Sequence, residues 1–161
     1  MTGSSVLSTS KFPPLLIVED SNEDFEAFER CLKQYSSAIP IYRCTDGDRA
    51  LAFLYRTDYY TNPETSPRPG LILLDLNLPG TDGRALLHCI KQDDRLRAIP
   101  VVVFTTSNNP KDIEACYHQG ANSYIIKPMD FKLLKQSIQT LLSYWLEITV
   151  LPLDGLEDGR L

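Results

Sequence analysis

Four short apolar runs, each closing on an acid, a hydroxyl or an ammonium, constrain this chain more than any other feature. LLIV (15–18) runs into Glu19 and Asp20, LILL (71–74) into Asp75, VVVF (101–104) into Thr105, and YII (124–126) into Lys127. Runs this short, apolar at every position, suit strands buried on both faces. In an open parallel sheet, ligands bind beyond the carboxyl ends of the strands. Paired side by side, these runs bring three carboxylates, a hydroxyl and an ammonium into one crevice.

The intervals between the runs read as helices. Ser21-Asn22-Glu23-Asp24 resembles a capping box, and Phe25, Phe28, Cys31, Leu32 and Tyr35 follow at helical spacing. Pro40 and IYRC predict a further strand ending at 44, after which Thr45 or Asp46 caps a helix carrying Ala50, Leu51, Phe53 and Leu54. Residues 57–70, rich in Pro, Ser and Thr, predict a long surface loop. Asp82 opens a helix with Leu86, Leu87 and Ile90, and Asn109-Pro110 opens the next, with proline at the first helical position. Gly120 ends that helix as a left-handed cap; a strand over 123–127 and a helix capped by Asp130 complete the pattern. Strand and helix alternate five times, which predicts an α/β fold: a doubly wound five-stranded parallel sheet covered by helices on both faces.

Composition bounds the alternatives. The chain has 161 residues, 43% of them apolar, enough for one domain with a real core. Net charge is −5 and no Lys/Arg block exists, which argues against a nucleic-acid groove. No apolar run approaches a bilayer span, and the start lacks the features of a secretory signal. Cys31, Cys44, Cys89 and Cys116 are scattered, as reduced thiols of a cytoplasmic protein would be. His88 and His118 stand alone, so a His/Cys zinc site is not expected. The expected division is a flexible tail over 1–13, a folded domain over 14–146 and an extension over 147–161.

The crevice has a chemical logic of its own. Glu19, Asp20 and Asp75 placed together repel one another and titrate as a set. A hard divalent cation with open water positions resolves the conflict, and magnesium suits oxygen ligands best. Asp75 can then attack phosphorus in line, while Lys127 and Thr105 serve the phosphoryl oxygens.

These residues resemble the receiver domain of two-component response regulators, from about Leu15 to Trp145. LLIVED is similar to the family's first strand with its acidic pair, LILLDLNLPGTDG to the phosphoacceptor segment, PVVVFTTS to the switch strand, and GANSYIIKP to the last strand with its lysine. The resemblance implies a flavodoxin-like sheet of order 2-1-3-4-5 with five helices. It implies that Asp75 accepts a phosphoryl group from a sensor histidine kinase, and that Mg2+ is held by Glu19, Asp20, Asp75 and the backbone carbonyl of Asn77. Thr105 would turn inward on phosphorylation and Tyr124 would rotate with it, while Lys127 contacts the phosphoryl group. The Lys127–Pro128 bond is often cis in the family. Four departures or tuning positions stand out: Glu19 in place of the commoner Asp, Thr106 where Ala is frequent, and polar Asn77 and Ser107. The 57–70 loop and the ending YWLEITVLPL resemble the small stand-alone regulators that partner cyanobacterial phytochrome histidine kinases.

Phe131, Leu134, Ile138, Leu141, Trp145 and Ile148 share one helical face, expected to pack on the sheet. Leu142, Leu146 and Val150, extended by Leu151 and Leu153, form a second stripe expected to serve a homodimer. Competing readings differ at single positions. A magnesium-dependent phosphatase needs an acid two residues after its nucleophile, where Asn77 stands. A flavin carrier needs a phosphate-cradling first turn, where EDSNED stands. A scaffold that is never phosphorylated has no need of the intact crevice.

Overall fold

The computed structural model describes residues 11–152. Five strands, β1 (Leu15–Val18), β2 (Ile41–Cys44), β3 (Leu71–Leu74), β4 (Val101–Thr105) and β5 (Ser123–Ile126), alternate with helices α1 (Asn22–Tyr35), α2 (Gly47–Tyr55), α3 (Gly83–Gln92), α4 (Pro110–His118) and α5 (Phe131–Leu142). The strands pair in parallel in the order β2-β1-β3-β4-β5, as expected. Alternate residues of each strand face opposite layers. Leu16, Val18, Ile72, Leu74, Val101 and Val103 join one core cluster with Phe53, Leu86, Leu87, Ile90 and Cys116 from α2, α3 and α4. Leu15, Ile17, Leu71, Leu73, Val102 and Phe104 join the other, with Phe28, Leu32, Ile138 and Leu141 from α1 and α5. Both faces are covered, which is why the central strands β1 and β3 are apolar throughout, while the edge strands β2 and β5 carry Arg43 and Ser123.

The helix ends follow local chemistry. Ser21, Asp46, Asp82, Asn109 and Asp130 each accept a backbone N–H of the helix they open. Gly120 adopts φ +100, the left-handed geometry expected after α4.

Three expectations change. Phe12, placed in the expected tail over 1–13, is only 7% exposed and sits in the α1/α5 core; residues 1–10 lie outside the described residues. The 57–70 loop holds a 3₁₀ turn at Asp58–Tyr60, and its second half runs inside: Ser66 is 2% exposed, Arg56 Nε donates to its carbonyl at 3.0 Å, and Gly70 N–H donates to Pro14 at 2.9 Å. The last helix buries a different set than its stripes suggest. Leu142 is fully buried and Leu146 packs on the same core, whereas Phe131 and Ile148 are 47% and 70% exposed. Leu142 follows fully buried Ile138 by one helical turn and shares its face, while π-type turns over Ser143–Ile148, closed by Thr149 N–H on the Tyr144 carbonyl at 2.7 Å, break the 3.6-residue period for the residues beyond it. Val150 remains 93% exposed, and Leu153 lies outside the described residues.

Candidate phosphoacceptor site

Strand register assembles the site. Val18 pairs with both Cys44 and Leu74, and Leu74 pairs with Val103. The ladder continues one step further: Glu19 N–H donates to the Cys44 carbonyl at 3.0 Å, Asp75 N–H to Val18 at 3.0 Å, and Lys127 N–H to Thr105 at 2.7 Å. Backbone pairing therefore lines up the four strand ends before any side chain contributes.

Glu19, Asp20 and Asp75 each offer a carboxylate oxygen, and these oxygens lie within 4.8 Å of one another. Glu19 and Asp75 are buried, at 5% and 8% exposure, while Asp20 faces outward. Lys127 Nζ bridges Glu19 Oε1 at 2.9 Å, Asp75 Oδ2 at 3.0 Å and Asp24 Oδ2 at 3.0 Å. Asn77 N–H donates to Asp75 Oδ1 at 3.2 Å, fixing the carboxylate's orientation. Glu19 Oε2 is buried with no hydrogen-bond partner among the described residues.

One cation among crowded acids leaves the charge unresolved. Burial, and then the adjacent Asp75 carboxylate, push the Glu19 carboxyl up to about 9. Burial pulls Asp75 upward too, but contact with Glu19 and the Lys127 ammonium outweigh it and hold Asp75 below its usual range. Lys127 is raised despite its burial, by Glu19 and then Asp75. The pair is thereby biased toward sharing one proton, with Glu19 drawn toward the neutral form and Asp75 toward the charged one. The donor set fits a divalent cation: hard oxygens, one orphaned buried lone-pair site, and an open outward side at Asp20. Such an ion would displace the Glu19 proton and neutralise the group.

Glycine makes the geometry possible at Gly83. A Cβ there would strike the Asp75 carbonyl and lie 2.6 Å from Leu76 Cα. The absence of a side chain lets α3 start directly against the end of β3.

The ends of β4 and β5 are organised differently. Thr105 is fully buried and its Oγ1 accepts Ser107 N–H at 3.4 Å. Tyr124 is half-buried, and its hydroxyl donates to the Ser107 carbonyl at 2.9 Å. Thr106, not Thr105, lines the crevice beside Asp75 and Lys127, above a hollow of about 250 Å³ floored by Phe25, Phe28 and Phe104. There is no cis peptide bond among the described residues, so Lys127–Pro128 is trans, unlike the form frequent in the family.

Two residues at the site escape a reading of motifs. Asp24 adds a third carboxylate to Lys127; its place within the capping box hides that contact. Arg43 donates to the carbonyls of Glu19 at 3.1 Å and Asp20 at 3.3 Å, and its guanidinium lies 4.5 Å from the Phe25 ring centre. Its position in the middle of a short strand gives no signal of that reach.

The fold and the crevice define a receiver domain, and the chain belongs to the response regulator receiver domain family, whose model matches residues 15–139. The acidic cluster of Glu19, Asp20 and Asp75 lies at the phosphoacceptor site of that fold. Response regulator Rcp1 of Synechocystis sp. is 43% identical over 148 residues, spanning 91% of this chain and 99% of Rcp1. The crystal structure of Mn(2+)-bound Rcp1 superposes with a TM-score of 0.82, covering 88% of this chain and 99% of that one. The phosphorylated cyanobacterial phytochrome response regulator RcpA, 37% identical, superposes with a TM-score of 0.83 over the same shares. Among the described residues no helix is long and apolar enough to cross a membrane.

Proposed function

We propose that this chain is a cytoplasmic response regulator that accepts a phosphoryl group on Asp75 from a sensor histidine kinase of the phytochrome type. The observation that carries this reading is the paired state of Glu19 and Asp75: two buried carboxyls bridged by Lys127, with one oxygen left unpartnered. Mg2+ is the expected ion, held by Glu19, Asp20, Asp75 and the Asn77 backbone carbonyl; that Rcp1 has a Mn(2+)-bound form supports a divalent cation as ligand. When bound, the ion would supply positive charge that offsets repulsion between the carboxylates and an incoming phosphoryl group.

The chain's own groups do the rest. An Asp75 carboxylate oxygen attacks phosphorus as the phosphorus–nitrogen bond of the donor phosphohistidine breaks, and the electron pair leaves on the imidazole. Lys127 follows the new charge, exchanging its carboxylate contact for a phosphoryl oxygen. Asn77 N–H keeps Asp75 oriented. Thr105 turns its hydroxyl toward the phosphoryl group and Tyr124 moves with it, which shifts a pre-existing equilibrium of the α4–β5–α5 face. The chain thus takes part in its own phosphorylation and dephosphorylation without turning over an external substrate. A homodimer through α5 and the following residues is the proposed output, supported by exposed Tyr144, Ile148 and Val150 on that side.

Intact mass and sedimentation before and after acetyl phosphate with Mg2+, beside Asp75→Asn, test both parts. A single magnesium-dependent phosphoryl adduct, absent from Asp75→Asn, is expected. Its failure to form, with acetyl phosphate and with a phosphorylated kinase alike, would overturn the reading. A mass that stays monomeric at every concentration and in both states would remove the dimer.

A further inference from the structure

Ser107 is joined to both groups that the proposed switch moves. Its N–H donates to Thr105 Oγ1, and its carbonyl accepts the Tyr124 hydroxyl. Its own hydroxyl donates to Asp112 Oδ2 at 2.6 Å. Asp112, in the first turn of α4, is gripped by Arg84 of α3 through two prongs, Nε to Oδ1 and Nη2 to Oδ2, both at 2.8 Å. Arg84 Nη1 is braced in turn by Asp82 Oδ2 at 3.1 Å.

Such a chain has mechanical consequences. If Thr105 turns toward the crevice, its oxygen leaves the Ser107 N–H; if Tyr124 moves, it draws on the Ser107 carbonyl. Either motion pulls Ser107 against an anchor fixed by a forked, partly buried ion pair, the strong form of such contacts. The anchor belongs to α3 and α4 and makes no contact with Glu19, Asp20 or Lys127 among its hydrogen bonds. It can therefore weigh on the switch without touching the metal or the phosphoryl group.

We propose that Arg84 and Asp112 are positioning residues that clamp Ser107, and with it the β4–α4 loop, in the resting arrangement, and so set how strongly phosphorylation must act before the output face responds. This rests on the receiver function proposed above. The clamp favours one of two states, so its removal shifts the equilibrium by the amount it favours the resting one.

Beryllofluoride with Mg2+ mimics an aspartyl phosphate and reports the balance of states as an affinity. Calorimetric titration of the full chain compares wild type with Asp112→Asn, Arg84→Gln and the double variant, each also titrated with Mg2+ alone. The clamp predicts about five- to twentyfold tighter beryllofluoride binding in either single variant. It predicts no further gain in the double variant, and unchanged affinity for Mg2+ alone. Arg84→Lys, which keeps charge but loses the fork, should fall between. Variants with reduced thermal stability but wild-type beryllofluoride affinity would show a mere brace and overturn the clamp. Weakened binding would place the pair in the switched state and overturn it too. A wild type that takes up no beryllofluoride would instead bring down the function on which the clamp rests.

Discussion

At the ends of β1 and β3 the crevice holds crowded carboxylates, a Glu19 carboxyl drawn toward its neutral form and a buried oxygen with no partner. At the ends of β4 and β5, by contrast, Thr105, Ser107, Tyr124, Asp112 and Arg84 are each hydrogen-bonded to another member of the group. The contact with Arg84, and next the one with Ser107, hold the Asp112 carboxyl down at about 2, so its charge persists at any working pH. The first half holds crowded acids and an unpartnered oxygen; the second is hydrogen-bonded throughout and holds a shape. A regulator needs both: an unsatisfied site binds, and a satisfied one gives the bound state something to work against.

Asp75→Asn should break the receptive half outright, with no phosphoryl adduct detectable by mass under conditions that label the wild type. Lys127→Ala should come next, slowing labelling by acetyl phosphate about 100-fold, the scale of one lost oxyanion contact, as single-turnover kinetics would record. The third effect concerns protons. Between 4.5 and about 9 the folded chain carries a Glu19 proton that the unfolded chain has already lost. Metal-free stability should therefore fall as pH rises through that window, read from thermal midpoints across buffers. Uptake of Mg2+ near neutrality should expel about one proton, read from binding enthalpies in buffers of differing ionisation heat. In Glu19→Gln both the slope and the proton release should vanish. The smallest change falls in the holding half: Tyr124→Phe removes one hydrogen bond and should cost about 1 kcal/mol in urea unfolding, with Mg2+ affinity unaltered. A large loss of metal binding in that variant would erase the distinction between the halves.

Much of this was legible before any coordinates. The apolar runs mark strands because both faces of the sheet are covered, and their polar ends mark the site because parallel strands point one way. The capping residues Ser21, Asp82, Asn109 and Asp130 place helix starts by a local bond that sequence spacing encodes. What escaped depends on contacts distant in sequence. Asp24 reaches Lys127 across 103 positions, and Arg84 reaches Asp112 across 28; neither pair has a periodic signature. Leu142 was misplaced for another reason. It lies in the regular part of α5, one turn after fully buried Ile138, so it shares that residue's core face; the π-type turns alter only the residues beyond it.

Arg43 grips the turn after β1 by its main-chain carbonyls, leaving the carboxylates of Glu19 and Asp20 out of its hydrogen bonds. Scaffold and ligand set are thereby separable. The acidic side chains can be exchanged for shorter, longer or softer donors while the path of the chain beneath them stays put. In this chain, a replacement at the lip leaves the Arg43 hold on the main chain beneath it in place.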